Sequence, residues 1–285
     1  MAISIVSCNF FKKSEEANIL SGNMTILVDQ TVYPLVEDHA MVFESQYNAK
    51  IKLVAKSEME IAKLLSEGKY DVAVLARELA SNESAHFSNA KIKGKVTDFA
   101  LDGLALIASK NGSIEQVAVQ DVLAFLQGKS SSVKSLVFDN ANSSTVNYLK
   151  KMAKVSDLPK KNVFSFSTNN EVIKFVVDNP GTIGVVGVNW LTQPMPEYQK
   201  VVDQVKVLGV KTAKGEVALP NQDFIATGAY PFVRTVKLLN YQGTTGLGMG
   251  FASFIAGEIG QRIVLKSGLM PVRMPGRNII LRKKI

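Results

Sequence analysis

The sequence predicts an α/β fold made of two lobes. From Met24 onward, short runs rich in β-forming residues alternate with amphipathic helical patterns, which is typical of parallel sheets covered by helices. One of these runs, residues 70–75, is almost continuously apolar, as expected of a central strand that is buried on both faces. The 285 residues and the hydrophobic content of 46% are sufficient for two lobes rather than one.

The first lobe is predicted to open with two strand–helix units and a third strand. Pro34 falls in the first turn of the first helix, where the missing N–H of proline is harmless. Ser57 and Glu60 form a capping box that marks the start of the second helix. The predicted elements are a strand at 24–28, a helix at 31–47, a strand at 50–54, a helix that ends at Gly68 and a strand at 70–75.

A second lobe is indicated by the pattern that follows the turn at Asn111 and Gly112. Its predicted elements are helices at 119–126, 144–153 and 170–177 and strands at 135–138 and 182–187. A buried strand is predicted before this turn, at 101–108, and a strand at 232–239 and a helix at 251–266 are predicted in the last part of the chain. The chain is expected to return to the first lobe within residues 205–227. The predicted organisation is a leader remnant and tether at 1–23, lobe 1 at 24–105 and 225–285, and lobe 2 at 106–224.

Composition excludes several classes of protein. The formal net charge of +8 favours anionic partners, but no stripe of basic and aromatic residues predicts nucleic-acid binding. The sequence contains no run of about 18 apolar residues. One cysteine and two histidines leave little material for a metal site, and no cofactor is expected. Because the motifs of hydrolases, nucleotide-binding proteins and zinc proteases are absent, the protein is not expected to be an enzyme.

The beginning of the chain contains a possible lipidation site. Residues 5–8 have the form of a bacterial lipobox, and a polar run at 9–23 follows them. This pattern predicts that Cys8 is lipidated and holds the protein on a membrane, in the periplasm or at the cell surface, after removal of a signal peptide of which residues 1–7 are the end. The alternative is a disordered start in which Cys8 is an inert exposed thiol.

Small polar residues at three predicted helix starts are candidates for holding an anion. Helix N-termini present free N–H donors and a partial positive charge, and in an open α/β sheet the ligand crevice lies at the carboxyl ends of the strands. The same side chains would also serve as ordinary helix caps. The candidates are Gln30, Thr31, Ser57, Ser143, Ser144 and Thr145.

Charged residues complete the candidate site. Arg77 follows the third predicted strand, where its planar guanidinium could contact two oxygens of an oxyanion or form a surface salt bridge with Glu78. Asp71, Asp139 and Asp29 could accept the proton of a monohydrogen oxyanion. Sulfate carries no such proton near neutral pH, so these carboxylates would favour a protonated anion.

Several segments resemble one known family in their order and spacing. They are residues 29–34, 70–77, 102–107, 142–145, 181–185, 228–234 and 260–271, of which the last run is the most specific. Over nearly all of its length after residue 23, the chain resembles the phosphate-binding periplasmic proteins of phosphate-specific ABC transporters. The resemblance implies the type II periplasmic-binding fold, with two α/β lobes joined by crossing hinge strands. It also implies a monomer that binds phosphate or a similar oxyanion and delivers it to an ABC-transporter permease.

The chain differs from that family at two positions. The family usually has an arginine four residues before its Ser-Gly-Thr helix start, where this chain has Asp139. Ser144 replaces the glycine that lets the backbone approach the ligand. Three alternatives therefore stay open: a binding protein for another anionic solute, a hydrolase that uses an activated Ser or Asp, and a surface protein that acts through the basic tail at 277–284.

Overall fold

A computed structural model describes residues 18–273, and Cys8 and the basic tail at 277–284 lie outside them. The strands are β1 (Gly22–Asp29), β2 (Ala49–Lys56), β3 (Val72–Leu75), β4 (Lys95–Ser109), β5 (Gln116–Ala118), β6 (Leu136–Phe138), β7 (Val163–Ser165), β8 (Ile183–Gly187), β9 (Val205–Val207), β10 (Gly209–Lys211), β11 (Val217–Ala218), β12 (Val233–Asn240) and β13 (Met270–Pro271). The helices are α1 (Tyr33–Gln46), α2 (Glu58–Ser66), α3 (Ala85–Asn89), α4 (Val119–Leu126), α5 (Ser144–Ala153), α6 (Asn169–Asp178), α7 (Asn189–Thr192), α8 (Gln199–Val202), α9 (Gln222–Ala226), α10 (Leu247–Ala256) and α11 (Glu258–Lys266). Short 3₁₀ turns occupy Gln30–Val32 and Pro196–Tyr198.

The long strand β4 connects the sheets of the two lobes. Its first part, residues 95–103, pairs antiparallel with β12, and residues 104–107 pair antiparallel with β8. The first lobe contains the parallel strands β1, β2 and β3, and the second contains the parallel strands β6, β7 and β8. The strand order is β2-β1-β3-β12-β4-β8-β6-β7, with β9 and β13 also paired to β4. The predicted fold class, two α/β lobes joined by crossing strands, is confirmed.

Two large hydrophobic clusters hold the strand ends in place. In the first lobe, the ring of Phe43 on α1 contacts Phe251 and Phe254 on α10, with ring centroids 5.4 and 5.2 Å apart. A separate cluster contains Phe138 of β6 and Phe232, which precedes β12, and both are fully buried. Because close-packed interiors resist deformation, the loops that follow the strands start from fixed positions.

The prediction of a single helix at 251–266 is wrong, because the structure has two helices there. Gly257 ends α10 and precedes α11 in an extended conformation, with φ −80° and ψ 176°. The chain then turns back closely, because a Cβ atom on Gly260 would lie only 2.5 Å from the Cα atom of Ile255. The absence of a side chain at Gly260 therefore permits the turn between the two helices.

Within residues 18–273, none of the helices combines the length and the apolar character that crossing a lipid bilayer requires.

Candidate binding site between the lobes

The carboxyl end of β1 places a capped turn at the junction of the two lobes. Asp29, the last residue of β1, is fully buried, and its Oδ1 atom accepts hydrogen bonds from the backbone N–H of Thr31 at 3.1 Å and from the Thr31 hydroxyl at 2.7 Å. The indole Nε1 of Trp190 donates to the carbonyl oxygen of Thr31 at 2.8 Å. Asp29 thus fixes the direction of the Thr31 hydroxyl. Gln30 lies beside it, half-buried.

The N-terminus of α5 faces this turn from the second lobe. Ser143 is the N-cap, and its hydroxyl accepts from the backbone N–H of Val146 at 3.2 Å. Ser144 and Thr145 follow in the first turn, and both are buried. The first N–H groups of a helix have no partner within the helix and carry a partial positive charge. The structure therefore brings the predicted Ser143, Ser144 and Thr145 together at one anion-attracting helix end.

A chain of directed hydrogen bonds connects the two lobes through Ser144. The hydroxyls of Thr31 and Ser144 are 2.9 Å apart, and the Thr31 proton is already donated to Asp29. Ser144 must therefore donate to Thr31, because a hydroxyl has only one proton to give. Ser144 also accepts a hydrogen bond from Nη1 of Arg234 at 2.5 Å. Both hydroxyls are consequently engaged across the cleft.

Arg234 supplies the positive charge of the site, and it was not among the residues predicted to bind the ligand. It lies on β12 directly opposite Asp102 of β4, and it is only 4% exposed. Its Nε donates to Asp102 Oδ2 at 2.9 Å, and Nη2 lies 2.8 Å from the same oxygen without the alignment of a hydrogen bond. The sequence signal for this pair was two opposite charges, each inside a predicted strand.

Asp139, which directly follows β6, is buried at the same junction. Burial raises the pKa of Asp139 to about 6, although the Ser143 hydroxyl and the Arg234 guanidinium act in the opposite direction. Burial also raises the pKa of Asp102, against the effect of its partner Arg234. For Arg234 itself, burial would lower the pKa, but Asp102 and Asp29 raise it overall. Arg234 is therefore charged, while the carboxyls of Asp102 and Asp139 hold their protons more tightly than usual.

Several buried polar atoms of this cluster lack a hydrogen-bond partner among residues 18–273. They are Oδ2 of Asp29, Oδ1 of Asp102, Oδ1 of Asp139, Oγ1 of Thr145 and Nη2 of Arg234. Unpartnered buried polar groups are few in folded proteins, because each one costs about 1–3 kcal/mol. Their concentration at the lobe junction makes this junction a candidate site for a polar ligand.

The prediction that Arg77 supplies a free positive charge is corrected by the structure. Its Nε donates to Glu58 at 2.9 Å, and Nη1 and Nη2 donate to Glu83 at 2.6 and 2.9 Å. The hydrogen bonds that Arg77 donates to Glu83 and Glu58 raise its pKa despite its partial burial. The guanidinium is thus neutralised by two carboxylates, neither of which is the Glu78 side chain considered from the sequence.

The remaining predicted residues differ in their positions. Ser57 forms the predicted capping box, in which Glu60 Oε2 accepts from the backbone N–H of Ser57 at 3.1 Å and from its hydroxyl at 2.8 Å. Asp71 immediately precedes β3 and so lies at the amino end of that strand. Because the cluster lies at the carboxyl ends of the parallel strands, the structure does not bring Asp71 into it, and a contact between Asp71 and the ligand stays a prediction.

Further contacts close the cleft on the outer side of the cluster. Asn147 of α5 donates to Glu58 of α2 at 3.0 Å, and the backbone N–H of Met59 donates to the carbonyl oxygen of Asn142 at 3.4 Å. A cavity of about 290 Å³ remains beside these contacts. It is lined by Glu58, Met59, Ala76, Arg77, Ser144, Asn147, Tyr148, Lys151 and Arg234. In the part of the chain that the structure describes, no group of three His, Cys, Asp or Glu side chains could hold a metal ion.

Comparison with known proteins identifies relatives of this architecture. The family model described as the PBP superfamily domain matches residues 13–258. A substrate-binding protein assigned to a phosphate ABC transporter of Clostridium perfringens, solved with bound phosphate, is 21% identical and has a TM-score of 0.72 over 88% of this chain and 100% of its own. An ABC-type phosphate transport receptor from Vibrio cholerae is 17% identical, with a TM-score of 0.65 over 88% of this chain and 100% of its own.

The same architecture also occurs outside transport. The regulatory domain of CcmR from Synechocystis, in complex with 2-PG, is 12% identical and has a TM-score of 0.56 over 82% of this chain and 96% of its own. No curated protein sequence matches this chain. At such low identities the structural likeness establishes a shared fold, and the ligand has to be argued from the site.

Proposed function

Because this chain belongs to the PBP superfamily domain family, we propose that it is an extracytoplasmic solute-binding protein that captures phosphate or a similar oxyanion for an ABC importer. The observation that carries the proposal is the buried junction where the N-terminus of α5 meets Arg234. A guanidinium and a helix N-terminus are the groups that hold tetrahedral oxyanions in proteins. The likeness to two phosphate-transport proteins, one of them solved with bound phosphate, points to the same ligand class.

The proposed mechanism is closure of two lobes over the anion. Opening the cleft separates the Thr31 and Ser144 hydroxyls, which are 2.9 Å apart in the closed form, and makes both available to an entering ligand. Closure then removes the anion from water and adds the contacts from the opposite lobe. A ligand shifts such an equilibrium only by its difference in affinity for the two forms, so the closed form must hold the anion more tightly.

No catalytic step belongs to this proposal. The Ser144 hydroxyl contacts Thr31 and Arg234, and no histidine activates it. His39 is buried elsewhere in the first lobe, where its ring nitrogens lie 2.7 and 2.9 Å from the carbonyl oxygens of Leu35 and Gly260. The protein would release its ligand unchanged to its partner.

The proposal includes the delivery step and the place of the protein in the cell. Two lobes, at residues 24–105 with 225–285 and at 106–224, would dock as a closed monomer on the permease of an ABC transporter. Lipidation of Cys8 would hold the protein at the membrane through the tether at 9–23. Mass spectrometry of the membrane-extracted protein checks this point, and an unmodified Cys8 in the native protein would contradict it.

Replacing Thr145 by valine tests the site with little risk to the fold. The Thr145 hydroxyl is buried and accepts or donates no hydrogen bond among the described residues, so Thr145→Val should leave the melting temperature unchanged or raise it. If that hydroxyl binds the anion, calorimetric titration should show phosphate binding weakened by about tenfold, the value of one hydrogen bond to a charged group.

Thr212→Val is the matched control, because the Thr212 hydroxyl is also buried and unpartnered within residues 18–273 but lies after β10. Thr212→Val should bind phosphate as the unaltered protein does. Equal affinity in both variants would remove Thr145 from the site, and equal losses would show that the effect is not specific to the cleft.

A further inference from the structure

The buried cluster has an unusual balance of charges for an anion site. Asp29, Asp102 and Asp139 are 0% exposed, and Arg234, the cation among them, is 4% exposed. The four groups are close enough to affect one another, since Asp29 raises the pKa of Asp102 and of Asp139 while Arg234 lowers both. With every group ionised, the cluster carries two more negative charges than positive ones.

No other charged group of the surroundings reverses this balance. On the cavity side, Arg77 is neutralised by Glu58 and Glu83, to which it donates hydrogen bonds. From α5, Tyr148 adds a neutral hydroxyl and Lys151 an exposed ammonium group that solvent and salt screen. A doubly charged anion would therefore enter a buried site that already carries net negative charge.

Most of the buried atoms without a hydrogen-bond partner in this cluster are hydrogen-bond acceptors. Three of the five are carboxylate oxygens, one each from Asp29, Asp102 and Asp139, and an ionised carboxylate can only accept hydrogen bonds, while the other two are the Thr145 hydroxyl and Nη2 of Arg234. A ligand that satisfies the carboxylates must bring protons, and its remaining oxygens can accept from Thr145, from Arg234 and from the first turn of α5. Monohydrogen phosphate offers one proton, whereas dihydrogen phosphate offers two.

Building on the proposed function, we propose that this site selects the singly charged, doubly protonated form of a tetrahedral oxyanion, which for phosphate is dihydrogen phosphate. That form halves the repulsion from the carboxylates and satisfies two of their free oxygens. The third acceptor can carry its own proton, because burial raises the pKa of Asp139 to about 6. Asp139 therefore adds to the repulsion of a doubly charged anion when it is ionised, above about pH 6.

A dependence of affinity on pH follows from this selection. Phosphate exchanges its second proton near neutral pH, so the fraction of the binding form falls as the pH rises. The apparent dissociation constant equals the intrinsic one divided by that fraction, which gives up to about tenfold weaker binding per pH unit above neutrality. A site that prefers monohydrogen phosphate would show the opposite trend.

Calorimetric titration of ligand-stripped protein with phosphate, from about pH 5 to about pH 8 where the fold is expected to persist, tests the proposal. The expected result is a dissociation constant that rises steadily with pH, and arsenate should follow the same profile because it exchanges its second proton in the same range. Asp139→Asn removes the negative charge that Asp139 carries above about pH 6, so this variant should gain affinity at about pH 8 and show a flatter profile. Asp157→Asn, which alters an exposed carboxylate, should keep the steep profile.

The possible outcomes separate the two proposals. Phosphate binding that is constant or tighter at high pH would overturn the selection of the protonated form, as would an Asp139→Asn profile identical to that of the unaltered protein. Absence of binding of phosphate and arsenate at every pH would instead reject the proposed function itself.

Discussion

Asp102 and Arg234 form a buried ion pair at the proposed binding site. A buried arginine needs a compensating charge, and Asp102 provides it directly across the β4–β12 ladder. Only one oxygen of Asp102 is used, and Nη1 of Arg234 reaches the hydroxyl of Ser144. The pair therefore orients the guanidinium toward α5 without exhausting the hydrogen-bonding capacity of the cluster.

Asp139 should reduce the stability of the ligand-free protein at neutral pH. Burial raises its pKa from 3.8 to about 6, so the stability it contributes is present below pH 3.8 and is lost as the pH rises through about 6. Asp139→Asn cannot ionise and should raise the free energy of unfolding by roughly 1–3 kcal/mol at about pH 8, since a tenfold change in proton affinity corresponds to about 1.4 kcal/mol. The gain should shrink toward zero as the pH falls below about 5.

Urea unfolding of ligand-free protein at several pH values measures this difference. The exposed Asp157→Asn should change the free energy of unfolding by less than about 0.5 kcal/mol at each pH. A loss of stability in Asp139→Asn at about pH 8 would contradict the account, because it would mean that the charged carboxylate stabilises the fold.

At the scale of the elements, α2 and α5 form the contact that closes the outer side of the cleft. Glu58 of α2 is 3% exposed and accepts from Arg77 of its own lobe and from Asn147 of the other. The first bond holds Glu58 in place whether or not the lobes meet, and the second exists only when they do. The Glu58–Asn147 hydrogen bond should therefore favour the closed form specifically.

Asn147→Ala should weaken ligand binding with little effect on stability. The loss of one hydrogen bond made only in the closed form is worth about 0.5–1.5 kcal/mol, or roughly a twofold to tenfold rise in the dissociation constant for phosphate. Asn179→Ala is the control, because Asn179 donates to Phe175 within one lobe. Binding of phosphate by Asn147→Ala that equals that of the control would contradict the role of this contact.

The sequence predicted most elements because their signals are local, while the site depends on distant pairings. The capping box of Ser57 and Glu60 is present, and the strands and helices with clear periodicity lie within a few residues of their predicted positions. Arg234 could not be chosen over Arg77, since its partner Asp102 is 132 residues away and only the β4–β12 register brings them together. The break at Gly257 was missed because an apolar helical pattern continues on both sides of it.

At the scale of the whole molecule, the positive net charge of the protein attracts anions, whereas the carboxylates of the buried cluster repel them. The formal net charge of +8 attracts anions to the protein from a distance, at rates that fall with ionic strength. The buried cluster then applies a second selection, in which the carboxylates favour anions that carry protons. Strand β4, which runs unbroken from one lobe to the other, places Asp102 between them. The fold thus places the selective groups where the lobes meet.

Calorimetric titration of ligand-stripped protein with phosphate, beside an identical titration with sulfate, tests the central claim most directly. The account predicts saturable binding of one phosphate per chain and no detectable binding of sulfate, which brings no proton for Asp29, Asp102 or Asp139. Sulfate binding as tight as that of phosphate would contradict the role of the carboxylates. The absence of heat with both anions, together with an unchanged melting temperature, would contradict the assignment of the cleft to an oxyanion.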